Sequence, residues 1–166
     1  SPTSGTVTFH PQTTGQRIGF VFQHPTLLPW RTAEQNLRLP LELGSRPGQG
    51  TTDVPIPFPA ADQNVLHQLL EQVGLSAQDA LKRPAQMSGG MQMRLSLARA
   101  LVTNPRLLLL DEPSSGLDPS AAVAMEGMIR ELVRDGATVV MNTHRLAEAE
   151  RLCNRVAILR EGELLE

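Results

Sequence analysis

The chain has 166 residues, 40% hydrophobic and 19% charged, with a formal net charge of -2, a composition that suits a single packed domain in water. A pI near 6.1 argues against a partner held mainly through nucleic-acid phosphates, and no apolar run reaches the roughly 18–20 residues of a membrane-crossing helix. The one cysteine, Cys153, cannot close an internal disulfide and no secretory signal opens the chain, so it reads as cytoplasmic.

Ser1-Pro2-Thr3-Ser4-Gly5 reads as a turn leading into a strand at Thr6-Val7-Thr8-Phe9, and an opening on a turn between elements suggests a fragment. Ile18 to Phe22 reads as a strand ending before Gln23. Thr32 and Gln35 form a capping box that starts a helix carrying Leu37 and Leu41, which Pro40 should kink or end. Residues 44–60, with three glycines and four prolines, read as a loop. The spacing of Val65, Leu66, Leu69, Leu70 and Val73 predicts a helix stopped by Gly74. Ser88 caps the next one, with Met91, Leu95, Ala98, Leu101 and Val102 on its buried side and Asn104-Pro105 ending it. A strand at 106–110 follows. Asp118 caps a helix with Pro119 at its first position, whose core face is Ala122, Met125, Ile129, Leu132 and Val133 and whose stop is Gly136. Strand 138–142, helix 145–153 and strand 155–160 complete an alternation that predicts parallel crossovers and a helix-covered sheet. Glu161-Gly162 is a tight turn into a further strand.

On such a sheet ligands bind outside the C-terminal strand ends, where Asp111, Glu112 and His144 all fall. Four leucines, 107 to 110, fix the backbone of Asp111 while its carboxylate leaves the core, so it can contact Mg²⁺ directly or through water. Glu112 beside it can act as a general base toward water. Ser88-Gly89-Gly90 offers a hydroxyl and unobstructed N–H groups at a helix N-terminus, which suits a phosphate. Gln23 ends a strand, where an amide can touch both a metal and an attacking water. His144 follows a strand and can reach a phosphate. Each has a plainer rival reading: loop acids, an N-cap, a surface amide, an exposed histidine.

Taken in order, these segments resemble the ATP-binding-cassette (ABC) transporter ATPases. Ile18-Gly19-Phe20-Val21-Phe22-Gln23 is similar to that family's Q-loop, and Met87-Ser88-Gly89-Gly90-Met91 with the helix after it is similar to its signature motif. Leu107 to Pro113 resembles Walker B, Ser115-Gly116-Leu117-Asp118 the D-loop, Thr143-His144 the switch histidine, and Arg155 to Leu165 the strand pair that follows. The resemblance implies an α/β fold, a P-loop NTPase-type parallel sheet, here incomplete, with a small inserted helical subdomain. Residues 1–30 and 87–166 would form the ATPase core and 31–86 the subdomain. It also implies ATP and Mg²⁺ as cofactors and a nucleotide sandwich with a second ATPase subunit. Gln23, Asp111, Glu112 and His144 would act within one subunit. Ser88, Gly89, Gly90 and Asp118 would act across the interface. A permease partner at the inner face of the cell membrane is implied too, with the exposed corner Leu27-Leu28-Pro29-Trp30 as its contact, although Trp30 buried in its own subdomain is an equal reading. That corner and Met91 at the fifth signature position look like importers of nitrate, sulfonate or taurine type.

No G-x-x-x-x-G-K-[ST] occurs in the chain, and Lys82, its only lysine, precedes Arg83-Pro84 in an expected loop. Arginine does not replace that lysine, because its planar fork does not mimic a compact ammonium between phosphates. Asn142 departs from the family pattern, which usually has an apolar or small residue there. The function implied is the ATP-hydrolysing subunit, as a fragment, of a transporter. The alternative is a signature-motif partner or decayed gene product without ATPase activity of its own.

Overall fold

The computed structural model describes residues 18–44 and 63–165. The expected strand at Thr6 to Phe9 and nearly all of the 44–60 loop lie outside them. Three strands, β1 (Ile18–Val21), β2 (Leu107–Asp111) and β3 (Thr138–Asn142), form a parallel sheet in the order β1-β2-β3. Between β1 and β2 run α1 (Ala33–Gly44), α2 (Gln63–Gln72), two short 3₁₀ turns and α3 (Gly89–Leu101). The helix α4 (Pro119–Arg134) crosses from β2 to β3, and α5 (Leu146–Leu152) follows.

Alternation along the strands decides which side chains are buried. Val21, Leu108 and Leu110 point inward with Met93 and Leu97 of α3 and Met125 and Ile129 of α4, forming one apolar cluster. A second cluster joins Ala33 and Leu37 of α1, Leu66 and Leu70 of α2, Val73, Leu75, Ala80 and Met87 to Leu95, Ala98 and Val102 of α3. The two sides of α3 therefore serve two cores. The sequence spacing located the second side and, on the first, only Leu101, because Met93 and Leu97 fall off the Leu95-Ala98-Val102 stripe.

Helix ends follow local chemistry. Thr32 N–H donates to Gln35 Oε1 at 3.0 Å and Gln35 N–H to Thr32 Oγ1 at 3.3 Å, the expected capping box. The end of α2 is a Schellman turn: Leu75 N–H reaches Leu70 O and Gly74 N–H reaches Glu71 O, both at 2.8 Å, with Gly74 at φ +68. Arg94 of α3 adds donors to the Val73 and Gly74 carbonyls at 3.3 and 2.9 Å. Gly136 ends α4 in the same way.

Several expectations change. Pro40 does not end α1, which continues to Gly44. One missing N–H is outweighed by packing of Leu37 and Leu41 on the second cluster. Val133 is exposed, because the helical step of about 100° carries it past the Leu132 side of α4. The strand expected at 155–160 is shorter and does not join the parallel sheet. As β4 (Ile158–Arg160) it pairs antiparallel with β5 (Glu163–Leu165). Glu161 and Gly162, both with positive φ, close that hairpin locally. Among the described residues helices cover one sheet face, while Phe20 and Val140 on the other stand exposed.

Candidate functional site

Strand register assembles the first half of the site. Val21 pairs with Leu110, and Asp111 pairs with Asn142, so Gln23, Asp111, Glu112 and His144 all leave the sheet at its C-terminal edge. Glu112 turns off β2 with φ +48, an uncommon value for a residue with a side chain. Its N–H is held by Asn142 O at 2.9 Å and its carbonyl accepts from Ser115 N–H at 2.9 Å. Its carboxylate is largely shielded, with a side-chain exposure of 13%.

Glu112 and His144 form a pair. His144 Nδ1 lies 2.7 Å from both carboxylate oxygens, but only Oε1 has hydrogen-bond geometry, and Oε1 also accepts the His144 backbone N–H at 3.1 Å. Oε2 is buried without a hydrogen-bond partner. The sequence places the two residues at one edge, and the fold makes them neighbours, with both His144 donors in hydrogen-bond geometry to Oε1 and Nδ1 equally close to Oε2. With Nδ1–H donating, Nε2 is the ring's remaining acceptor. Asp111 is exposed, and its Oδ1 accepts from Asn142 Nδ2 at 2.8 Å. Gln23 is exposed at the end of β1.

Two helix N-termini make up the second half. Ser88 caps α3 by accepting Met91 N–H on Oγ at 3.2 Å, and open space surrounds Gly89. A Cβ on Gly90 would lie 3.2 Å from Ala121 Cβ, so α3 meets the first turn of α4 where a side chain has little room. Asp118 caps α4: Oδ1 accepts Ser120 Oγ–H at 2.6 Å and the N–H groups of Ser120 and Ala121 at 3.0 Å. These bonds, the Ser120 hydroxyl first, hold its carboxyl below the usual aspartate range. No side-chain hydrogen bond or ion pair joins the two halves among the described residues.

Around the site, Lys82 pairs with Asp79 at 2.7 Å, so the one lysine serves a local loop. Trp30 is 67% exposed, which removes its reading as a buried subdomain residue. Fully buried Asn36 holds that corner: its Oδ1 accepts Leu28 N–H at 2.7 Å and its amide donates to the carbonyls of Leu28, Arg31 and Thr32. Sequence reading missed Asn36 and the bond made by Asn142. The available signal was a polar residue one step from Leu37 on the inward side of α1, and an amide at a strand end opposite Asp111.

No group of three or more His, Cys, Asp or Glu side chains able to hold a metal occurs among the described residues. The exposed Asp111 fits Mg²⁺, which binds through one or two carboxylates and takes its other ligands from phosphates and water.

An acid–imidazole pair at the C-terminal edge of a parallel α/β sheet and two capped helix N-termini beside it define the class of a P-loop cassette fold. The family profile for ABC transporters matches residues 1–115, and the chain belongs to that family. It is 42% identical over 152 residues to the methionine import ATP-binding protein MetN of Caulobacter vibrioides, covering 91% of this chain and 42% of that protein. It is 37% identical over 177 aligned positions to MetN of Ralstonia nicotianae, covering 99% and 47%. The chain thus spans less than half the length of these relatives. The ATP-binding cassette MJ0796, solved as a post-hydrolysis dimer bound to ADP and Pi, superposes with a TM-score of 0.74 at 32% identity, covering 91% of this chain and 62% of that one. Cassette neighbours of this kind establish the α/β P-loop NTPase fold.

Proposed function

We propose that this chain belongs to the ATP-hydrolysing subunit of an importer that works through a partner permease at the cytoplasmic face of the membrane. The observation that carries this is the Glu112–His144 pair next to Asp111, with the Glu112 carboxylate shielded and its Oε2 not hydrogen-bonded. In this reading Oε2 accepts the proton of the attacking water, since Oε1 is already held by two donors of His144. His144 fixes the base and presents Nε2 toward the transferring phosphate. Asp111 and Gln23 hold the metal, and Mg²⁺ when bound offsets charge on the β- and γ-phosphates. Ser88 and the N–H groups of Gly89 and Gly90 receive the γ-phosphate of a neighbouring subunit's nucleotide, with Asp118 ordering the adjoining helix start.

The two apolar clusters support a division into an ATPase core (1–30 and 87–166) and a helical subdomain (31–86) that share α3. The exposed Trp30 supports the corner at 27–30 as the permease contact. A dimeric cassette neighbour supports pairing with a second ATPase subunit. Methionine, from the relatives' names, is the first substrate to test, ahead of nitrate, sulfonate or taurine.

The test is Glu112→Gln in the intact protein. Hydrolysis is expected to fall about a hundredfold or more, the usual worth of a positioned base, while ATP stays bound and traps the dimer. Retained turnover overturns the assignment of the base. An unmodified protein that hydrolyses nothing alone but stimulates a second cassette would establish the non-hydrolytic alternative.

A further inference from the structure

We propose that Asn142 is a positioning residue for the two acids of the site, acting on Asp111 through its side chain and on Glu112 through its backbone. The inference rests on the metal-facing role of Asp111 proposed above. Asn142 ends β3 opposite Asp111 in the parallel register. Its Nδ2 donates to Asp111 Oδ1 at 2.8 Å, and its carbonyl accepts Glu112 N–H at 2.9 Å, where Glu112 takes its left-handed turn.

Any residue could supply that carbonyl, but only a side chain with a donor can hold Asp111. An apolar residue would leave the exposed carboxylate free to rotate. A lysine or arginine would hold it but would compete with a cation for its charge. A neutral amide does neither: it fixes Oδ1 and leaves Oδ2 to face a metal or a metal-bound water. Asparagine is a poor strand former and Asn142 is exposed, so neither strand propensity nor burial accounts for it. Supporting donors of this kind orient a ligating carboxylate and raise the affinity of its metal.

The test measures Mn²⁺ binding to the intact protein with a non-hydrolysable ATP analogue, by electron paramagnetic resonance. Asn142→Val keeps a good strand former and removes only the donor. It is expected to weaken Mn²⁺ binding about tenfold, with unchanged affinity for the metal-free analogue and an unchanged melting temperature. The Mg²⁺ needed for half-maximal hydrolysis should rise while kcat at saturating Mg²⁺ is largely kept. Asn142→Ala, which shortens the side chain without branching it, repeats the measurement if the valine perturbs the strand. Asp111→Asn should weaken Mn²⁺ binding, and adding Asn142→Val to it should weaken binding no further. Unchanged Mn²⁺ affinity in Asn142→Val, beside a loss in Asp111→Asn, overturns the inference and spares the reading of Asp111. Additive losses also overturn it. No loss in Asp111→Asn overturns both.

Discussion

Asn36 illustrates how one buried polar side chain can shape a surface. Its amide joins three carbonyls and one N–H of residues 28–32. The Leu28 N–H would otherwise be left unpaired at the edge of a core. Asn36→Ala is expected to cost about 2–3 kcal/mol, because it leaves the Leu28 N–H and the carbonyls to be satisfied by water that must enter a closed site. Trp30 is the only tryptophan, so its fluorescence anisotropy reports the corner directly. A fall in anisotropy together with a lower melting temperature is expected, and no change in either would refute this account. Glu112 shows the same dependence on neighbours. Its left-handed backbone is held by Asn142 and Ser115, and its carboxylate by His144, rather than by its own preference.

At the scale of elements, acid should loosen the segments that aspartates tie together. Asp79 accepts from Lys82, from the Ser76 hydroxyl and from the Ser76 N–H, which bring its pKa from 3.8 to about 2, the Lys82 bond leading. A depressed folded pKa contributes stability that is complete above the ordinary aspartate value and is lost as pH falls through the folded one. Asp118 at the start of α4 shifts in the same direction, as does Glu126, whose carboxylate is gripped by Arg151 of α5 at 2.6 and 3.1 Å. Melting temperature is therefore expected to drop as pH falls from 3.8 toward about 2. Asp79→Asn should remove part of that slope, and an equally steep profile in the variant would refute the assignment. Sequence foresaw the Asp118 cap, because Asp-Pro at a helix start is a local signal. It did not foresee the Glu126–Arg151 pair, whose partners lie 25 residues apart and meet only when α4 and α5 pack.

Over the whole molecule, the outer face of the parallel sheet sets the behaviour of the isolated chain. Phe20 and Phe22 stack with centroids 5.8 Å apart, and with Ile18 and Val140 they present an apolar surface, among the described residues, on the face opposite the helices. Apolar sheet surface of this kind favours association. The isolated chain is expected to self-associate in sedimentation and to bind a hydrophobic dye, both suppressed by Phe20→Ser with Val140→Thr. A monodisperse monomer with a cooperative melt and no dye binding would contradict this. The same arrangement explains how two cores share one helix: α3 lies between the sheet and the α1–α2 layer, and each side is apolar at helical spacing.

Local signals alone determined the helix starts at Thr32, Ser88 and Asp118, the stops at Gly74 and Gly136, and the strand before Asp111 and Glu112. Each depends on residues within a few positions, where spacing and turn chemistry are decisive. Tertiary structure alone decided that Glu112 and His144 touch, that Asn142 holds Asp111, and that Arg151 grips Glu126. Those outcomes depend on strand register and helix packing, which bring together groups 25 to 32 residues apart. No short window of sequence holds both partners of such a contact.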